Sequence, residues 1–176
     1  MTAGEPPDFP TLYRSEFAYV WKTLRRLGAP ARELEDLTHD LFLVVHRHLG
    51  AYDPRRPLRP WLFGIAVRVV SDYRRTFRNS RELLQRPAAA EAVDGAPAQD
   101  DRLAEAQARA LLMSALEGLE LDRRAVLVMH DLDGVAVPEI AAALEIPLNT
   151  AYSRLRLARA DLAAAVNRLR AGRGAG

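Results

Sequence analysis

The chain has 176 residues, 49% of them hydrophobic, a net charge of +2 and no cysteine. That length suits one or two small domains with a real core, and the missing thiols exclude disulfides and thiolate metal sites. No apolar run approaches the roughly 20 residues of a membrane-spanning helix, and the polar, proline-rich start from Met1 to Pro10 lacks a signal-peptide core, so a cytoplasmic protein without membrane insertion is expected. Much of the apolar content is Ala and Leu, which favours helices. Few stretches alternate apolar with polar residues, so an all-α fold is expected. Of the 25 basic residues only Lys22 is lysine. Arginine suits phosphate and base-edge contacts, although a GC-rich genome gives the same bias. With so small a net charge, a nucleic-acid binder must gather its cations locally.

Residues 1–10 are expected to be disordered, and a first domain is expected over residues 11–82. A helical pattern runs from Thr11 to Leu27, with Leu12, Phe17, Val20, Trp21 and Leu24 available for a core; Gly28 and Pro30 end it. A second helix, about Ala31 to Leu49, puts Leu34, Leu37, Leu41, Val44, Val45 and His48 on a core face. Opposite them Asp36, His39, Asp40 and Leu43 stand at i, i+3, i+4 and i+7. Like charges at i, i+4 cost about 0.2–0.5 kcal/mol, and Leu43 gains nothing in water. Either Asp36 favours the positive helix N-terminus and the rest is solvated surface, or this face docks a basic partner helix. The loop Gly50–Arg59 carries Arg55, Arg56 and Arg59 among prolines. It is either a solvated connector or a stiff element that grips a nucleic-acid backbone or traps a base. A third helix from Pro60 to about Arg81 turns Leu62, Ile65, Ala66, Val69, Tyr73 and Phe77 inward. Trp61, Gly64, Arg68, Ser71, Arg75 and Arg78 lie opposite. Aromatics interleaved with cations hold unstacked bases along a charged strand; the plainer alternative packs Trp61 into the corner at the helix start and leaves the arginines to solvent.

Residues 83–104 change character: rich in Ala, interrupted by Pro87 and Pro97, and net acidic. Such a stretch is expected to be a flexible linker. A second domain is expected over residues 105–170. Its first helix, about Ala104 to Leu119, offers Leu111, Leu112, Ala115, Leu116 and Leu119; the next, from Asp122, offers Val126, Leu127 and Met129, and Asp131 to Gly134 breaks it. Val137, Ile140, Ala141 and Leu144 then form one face of a short helix, Pro147 separates it from the next, and Leu148, Ala151, Leu155, Ala158 and Leu162 repeat with helical spacing. Two helices with a tight break are the layout of a helix-turn-helix, whose second helix enters the DNA major groove. Asn149, Ser153 and Arg156 point away from the apolar stripe, with Tyr152, Arg154 and Arg159 on its flanks. An outward arginine can bond guanine in bidentate fashion, and flanking ones reach phosphates; an ordinary amphipathic helix with a solvated arginine face has the same pattern. Residues 171–176 are expected to be disordered.

Chemistry-bearing motifs are lacking. There is no glycine-rich phosphate loop and no nucleophile motif. His39, His46, His48 and His130 are not spaced as metal ligands. No catalytic residue, metal or cofactor is expected.

Taken together, these residues resemble the bacterial RNA polymerase sigma factors of the sigma-70 family, extracytoplasmic-function (ECF) group. The stretches that carry the resemblance are Glu35-Asp36-Leu37-Thr38-His39-Asp40-Leu41-Phe42, Arg59-Pro60-Trp61-Leu62-Phe63-Gly64-Ile65-Ala66 with Asp72-Tyr73-Arg74-Arg75, Asp133-Gly134 through Pro138-Glu139-Ile140-Ala141, and Asn149-Thr150-Ala151-Tyr152-Ser153-Arg154. The resemblance implies two small helical domains, one on each side of the linker, and a role as promoter-specificity subunit. It implies that Asp36, His39, Asp40 and Leu43 bind core polymerase at the beta-prime clamp, with the beta flap a further contact. Arg55, Arg56, Arg59, Trp61, Arg68, Ser71, Arg75 and Arg78 would recognise and open the minus-10 element. Asn149, Thr150, Tyr152, Ser153, Arg154, Arg156 and Arg159 would read the minus-35 element. An anti-sigma factor is the implied inhibitor. The sequence departs from the family pattern at His39 and Asp40, where Gln and Glu are usual; at Ala136, where a capping Ser or Thr is common; and at Tyr152, where Arg or Lys is common. His39 puts an imidazole on the implied docking face, Ala136 forfeits about 1 kcal/mol of capping, and Tyr152 cannot make a bidentate grip. A free-standing helix-turn-helix regulator shares many of these features, and so does a polymerase-binding protein that has lost DNA reading.

Overall fold

The computed structural model describes the backbone of residues 8–84 and 100–173, and within these the side chains of residues 8–77 and 105–171. Among the described residues every regular element is helical: α1 (Phe9–Leu27), α2 (Leu34–His48), α3 (Leu58–Leu84), α4 (Asp100–Glu117), α5 (Leu121–Leu127), α6 (Val137–Ala143) and α7 (Leu148–Arg173). Short 3-10 turns at Ala31–Glu33 and Leu49–Ala51 flank α2, and a π-turn over Val128–Leu132 continues α5.

The ends of α1 show why it starts and stops where it does. Asp8 caps it: its carboxylate accepts from the Thr11 amide at 3.1 Å and from the Thr11 hydroxyl at 2.9 Å, and Pro10 sits in the first turn, where no amide is needed. Gly28 ends it in the left-handed region, φ 90°. The Gly28 amide donates to the Arg25 carbonyl and the Ala29 amide to that of Leu24, which satisfies the last carbonyls. The helix therefore begins at Phe9, inside the stretch expected to be disordered. Likewise α3 runs to Leu84 and α4 starts at Asp100, both inside the expected linker. The rest of that linker, residues 85–99, lies outside the described residues. At the far end α7 reaches Arg173, beyond the expected boundary at residue 170.

Helices α1–α3, the first module, lie before the stretch of residues 85–99, and α4–α7, the second, lie after it. They are not held apart. Leu12, Leu24, Leu41, Leu62 and Phe63 of the first belong to the same buried cluster as Leu116, Leu127, Met129, Ile140 and Leu155 of the second. Helix α6 lies on α3, and α1 touches α4 and α5. Polar contacts close the seam. Asp133 accepts from the Tyr19 hydroxyl at 3.1 Å and from Arg26 at 2.8 Å, and Arg68 of α3 pairs with Glu145 beside α6. Gly64 was expected on an outward stripe. It is buried instead, with no space for a side chain, because a Cβ there would stand 2.5 Å from the Ala143 carbonyl oxygen of α6. Phe63, given no role by the periodicity, is fully buried in the same region.

Candidate nucleic-acid interface

Helix α6 begins without a side-chain cap, since Ala136 offers no acceptor, and Pro138 occupies its first turn. The chain turns through Glu145 at φ 55°. A non-glycine residue is uncommon in that region; here the carboxylate of Glu145 reaches Arg68 of the other module. Helix α7 then starts at Leu148. Its inner side is set by Ala151, Leu155, Ala158 and Ala165, all buried. Its outer side carries Asn149, Tyr152, Ser153, Arg156 and Arg159, all exposed, with Thr150 half-buried.

The three arginines in the first half of this helix, Arg154, Arg156 and Arg159, differ. Arg159 makes two bonds to Asp131, at 3.0 and 2.6 Å; these bonds hold the Asp131 carboxyl below its ordinary pKa and raise that of Arg159. Arg154 lies against Asp122 of α5 at 2.6 Å, so it braces α7 on α5 instead of extending outward. Arg156 alone has no ion pair among the described residues and points into solvent. Leu148 is a correction to the expected core stripe: its phase is right, but it stands a turn ahead of Ala151, the first buried residue of α7, and is 43% exposed. Its overhang could not be seen in periodicity alone.

In the first module α3 already begins at Leu58, so Arg59 lies on that helix and not in the expected loop, and two of the three cations there are paired. Arg55 pairs with Asp53 at 2.9 Å, and these hydrogen bonds lower the Asp53 pKa. Arg59 pairs with Glu16 at 3.0 Å and lies over the Tyr19 ring, 4.9 Å from its centroid. Burial, first, and Asp133, second, push the Tyr19 phenol up. Arg56 is exposed, and its carbonyl accepts from the Tyr52 hydroxyl. Trp61 is half-buried, its ring 4.8 Å from that of Tyr52. Trp61 and Arg68 border a cleft of about 340 Å³ between α2 and α3, floored by Val44, Ile65 and Val69. Ser71 lines a second, larger cleft between α3 and the α5–α7 side, about 690 Å³, with Tyr73, Phe77, Arg123 and Arg154. Arg75 pairs with Asp72 at 3.0 Å. Arg78 is on α3, but its side chain lies outside the described residues. The expected stripe is thus brought together only in part: Trp61 and Arg68 share one cleft, Ser71 faces another, and Gly64 between them is covered.

The third group stays on one helix. Asp36, His39, Asp40 and Leu43 are exposed along α2, Leu43 to 41%. His48, expected in the core, is exposed. An aromatic ridge beside this face went unrecognised in the sequence. Phe9, Tyr13, Phe17 and Trp21 follow one another along α1 at i+4 spacing, with ring centroids 5.6 to 6.2 Å apart. Three of these rings close over Phe42 of α2, which is 2% exposed. Phe17 and Trp21 were expected in the core, but Phe17 is 36% exposed, because it roofs Phe42 instead of entering the cluster. The i+4 spacing of four aromatics was the available signal.

Among the described residues no group of three side chains could hold a metal ion, and no helix is long and apolar enough to cross a membrane.

Comparison with known proteins gives two family matches in one chain: residues 12–81 match Sigma-70 region 2, and residues 109–162 match Sigma-70, region 4. The chain is 30% identical to the RNA polymerase sigma factor NccH of Alcaligenes xylosoxydans xylosoxydans, over 92% of this chain and 88% of that one. It is 31% identical to the ECF RNA polymerase sigma factor SigL of Mycobacterium tuberculosis, over 89% and 87%. Among solved structures, that of CnrH in complex with the cytosolic domain of CnrY superposes with a TM-score of 0.61 at 27% identity, covering 91% of this chain and 88% of that one.

Proposed function

The chain belongs to the sigma-70 family of RNA polymerase sigma factors, in its ECF group, and from that premise we propose how its surfaces divide the work. It is a promoter-specificity subunit, which directs core polymerase to promoter DNA in transcription initiation. The carrying observation is the pair of matches, region 2 over residues 12–81 and region 4 over residues 109–162, on one chain. A free-standing helix-turn-helix regulator is not favoured, since that reading leaves the region 2 match without a purpose. The work is recognition and positioning and needs no catalytic group. Its place is the cytoplasm, with the polymerase.

Helix α2 docks core polymerase. Asp36 and Asp40 supply negative charge for a basic helix of the beta-prime clamp, and exposed Leu43 supplies an apolar contact. The Gly50–Arg59 loop, Trp61, Arg68, Ser71, Arg75 and Arg78 act on the minus-10 element. The cleft beside Trp61 is within the size range of small-ligand pockets, large enough for one unstacked base against an aromatic wall. Helix α7 reads the minus-35 element: Arg156 is available for a base edge, Asn149, Thr150, Tyr152 and Ser153 line the same approach, and Arg154 and Arg159 serve the phosphates once they leave Asp122 and Asp131. A holding partner is supported by CnrH, a relative captured with the cytosolic domain of a second protein; an anti-sigma factor would fill that place here.

Run-off transcription with purified core enzyme on genomic fragments tests the assignment. With the chain added, transcripts start at a small set of promoters, and the chain alone binds those promoters weakly. Tight operator binding by the chain alone, with no effect on core, would make it a free regulator.

A further inference from the structure

Helix α7 opens with two large apolar side chains in water. Leu148 is 43% exposed and Tyr152 52%. They stand one turn apart on α7, and residues at i and i+4 are surface neighbours. Exposed Arg156 continues the same row by another turn. Neither Leu148 nor Tyr152 is a member of the buried cluster. The charge around them selects the partner. Between Leu148 and Arg159 the chain has three arginines and no acidic residue. Arg154 and Arg159 pair with Asp122 and Asp131 at the flanks, which leaves the exposed Arg156 guanidinium in line with the two apolar side chains and suits an anionic partner that also offers an apolar contact.

On the major-groove edge of DNA the apolar feature that side chains can touch is the 5-methyl group of thymine. We infer that Leu148 and Tyr152 together read that methyl group in the upstream promoter element. This rests on α7 being the promoter-reading helix and names what its first turns select. The Tyr152 hydroxyl makes single hydrogen bonds and cannot grip a base in bidentate fashion, so the edge of its ring, beside the Leu148 methyls, does the discriminating. Four residues of helix rise about 6 Å, and successive bases are about 3.4 Å apart. The thymine therefore lies about two to four base pairs from the base met by Arg156.

The test uses holoenzyme reconstituted from core polymerase and the full chain, on a promoter it transcribes. Each thymine of the upstream element, on either strand, is replaced singly by deoxyuridine, which removes the methyl group alone. One such replacement weakens binding about fourfold, the worth of one buried carbon. Leu148→Ala abolishes that difference while the base preference at the Arg156 position persists. If no replacement weakens binding while the unmodified promoter is transcribed, the inference falls and the reading helix stands. If the thymine effect survives in both Leu148→Ala and Tyr152→Ala, the methyl is read by another residue and the inference also falls. If the chain directs core to no promoter at all, the functional assignment itself falls, and this inference with it.

Discussion

Arg124 is among the largest fully buried side chains of the molecule, 1% exposed. One of its NH2 groups donates to the Leu119 carbonyl at 3.2 Å, while its Nε has no partner. Burial, and then the neighbouring Arg74, bring its pKa down to about 10. It fills the space over Gly28, where a Cβ would stand 2.2 Å from one of its terminal nitrogens. A helix C-terminus attracts cations, and the Leu27 carbonyl already accepts from Arg74 at 2.9 Å. A second buried guanidinium beside the first gains little more. Replacing an incompletely paired buried charge by an apolar group of similar length is often neutral or stabilising. Arg124→Met is therefore expected to raise stability by about 1 kcal/mol, seen as a higher urea midpoint at unchanged slope; a lower midpoint would show that the guanidinium holds the seam. A different arginine decides specificity. Arg156→Ala should cost about 1–3 kcal/mol at one base pair of the upstream element. Arg159→Ala should weaken binding evenly across sequences, because its fork is committed to a carboxylate, Asp131, in the free protein and is proposed to exchange it for a phosphate. Titrations against a set of single-base variants separate the two, and a uniform loss for Arg156→Ala would make it a phosphate contact as well.

At the level of the helices, α2 carries a charge pattern that its own stability explains only at Asp36, which sits in the first turn beside the positive helix end. Asp36 and Asp40 repel each other one turn apart, and Leu43 is left in water. The double substitution Asp36→Arg and Asp40→Arg should leave helix content and urea midpoint nearly unchanged and abolish co-purification with core polymerase; unchanged affinity would remove the docking face from α2. That these four residues share an exposed side was legible in the sequence, because one helix contains them all. So were the inner sides of α1, α2, α3 and α7, since a 3.6-residue period reports which side is apolar. What periodicity leaves out is where a helix stops being covered and what lands on it. Leu148 has the phase of a core residue but overhangs the module. Phe17 has the hydrophobicity of one but serves as a roof over Phe42. Gly64 gives no hydrophobic signal at all, so nothing in α3 announced that α6 would rest on it. Boundaries moved for local reasons too: the Asp8 cap starts α1 early.

At the scale of the whole molecule, the two modules share one core, whereas their promoter targets are far apart. A compact chain of this length has a radius of gyration of about 16 Å. The minus-35 and minus-10 positions are separated by about 85 Å of duplex at about 3.4 Å per base pair. With the modules assigned as proposed, the closed form cannot touch both, so the seam is expected to open when the protein joins polymerase on DNA. One polar contact of the seam is weak. Arg68–Glu145 is exposed on both sides, at 59% and 74%, and exposed pairs contribute about 0–1 kcal/mol. Gly64 packs against the Ala143 carbonyl, whose oxygen would stand 2.5 Å from a Cβ placed there. Because that oxygen belongs to backbone, a methyl group at position 64 cannot be accommodated by a side-chain rotation; α6 must move off α3. Alanine is at the same time the better helix former by about 1 kcal/mol, so α3 itself is not harmed. Gly64→Ala is therefore expected to keep the helical circular dichroism while increasing the solution radius of gyration by X-ray scattering. It should also speed assembly with core polymerase, because Arg68 and the helix beneath it no longer have to be uncovered first. A variant with the parent's radius and the parent's assembly rate would mean that the seam yields without opening, and the closed form would then be no barrier to promoter binding.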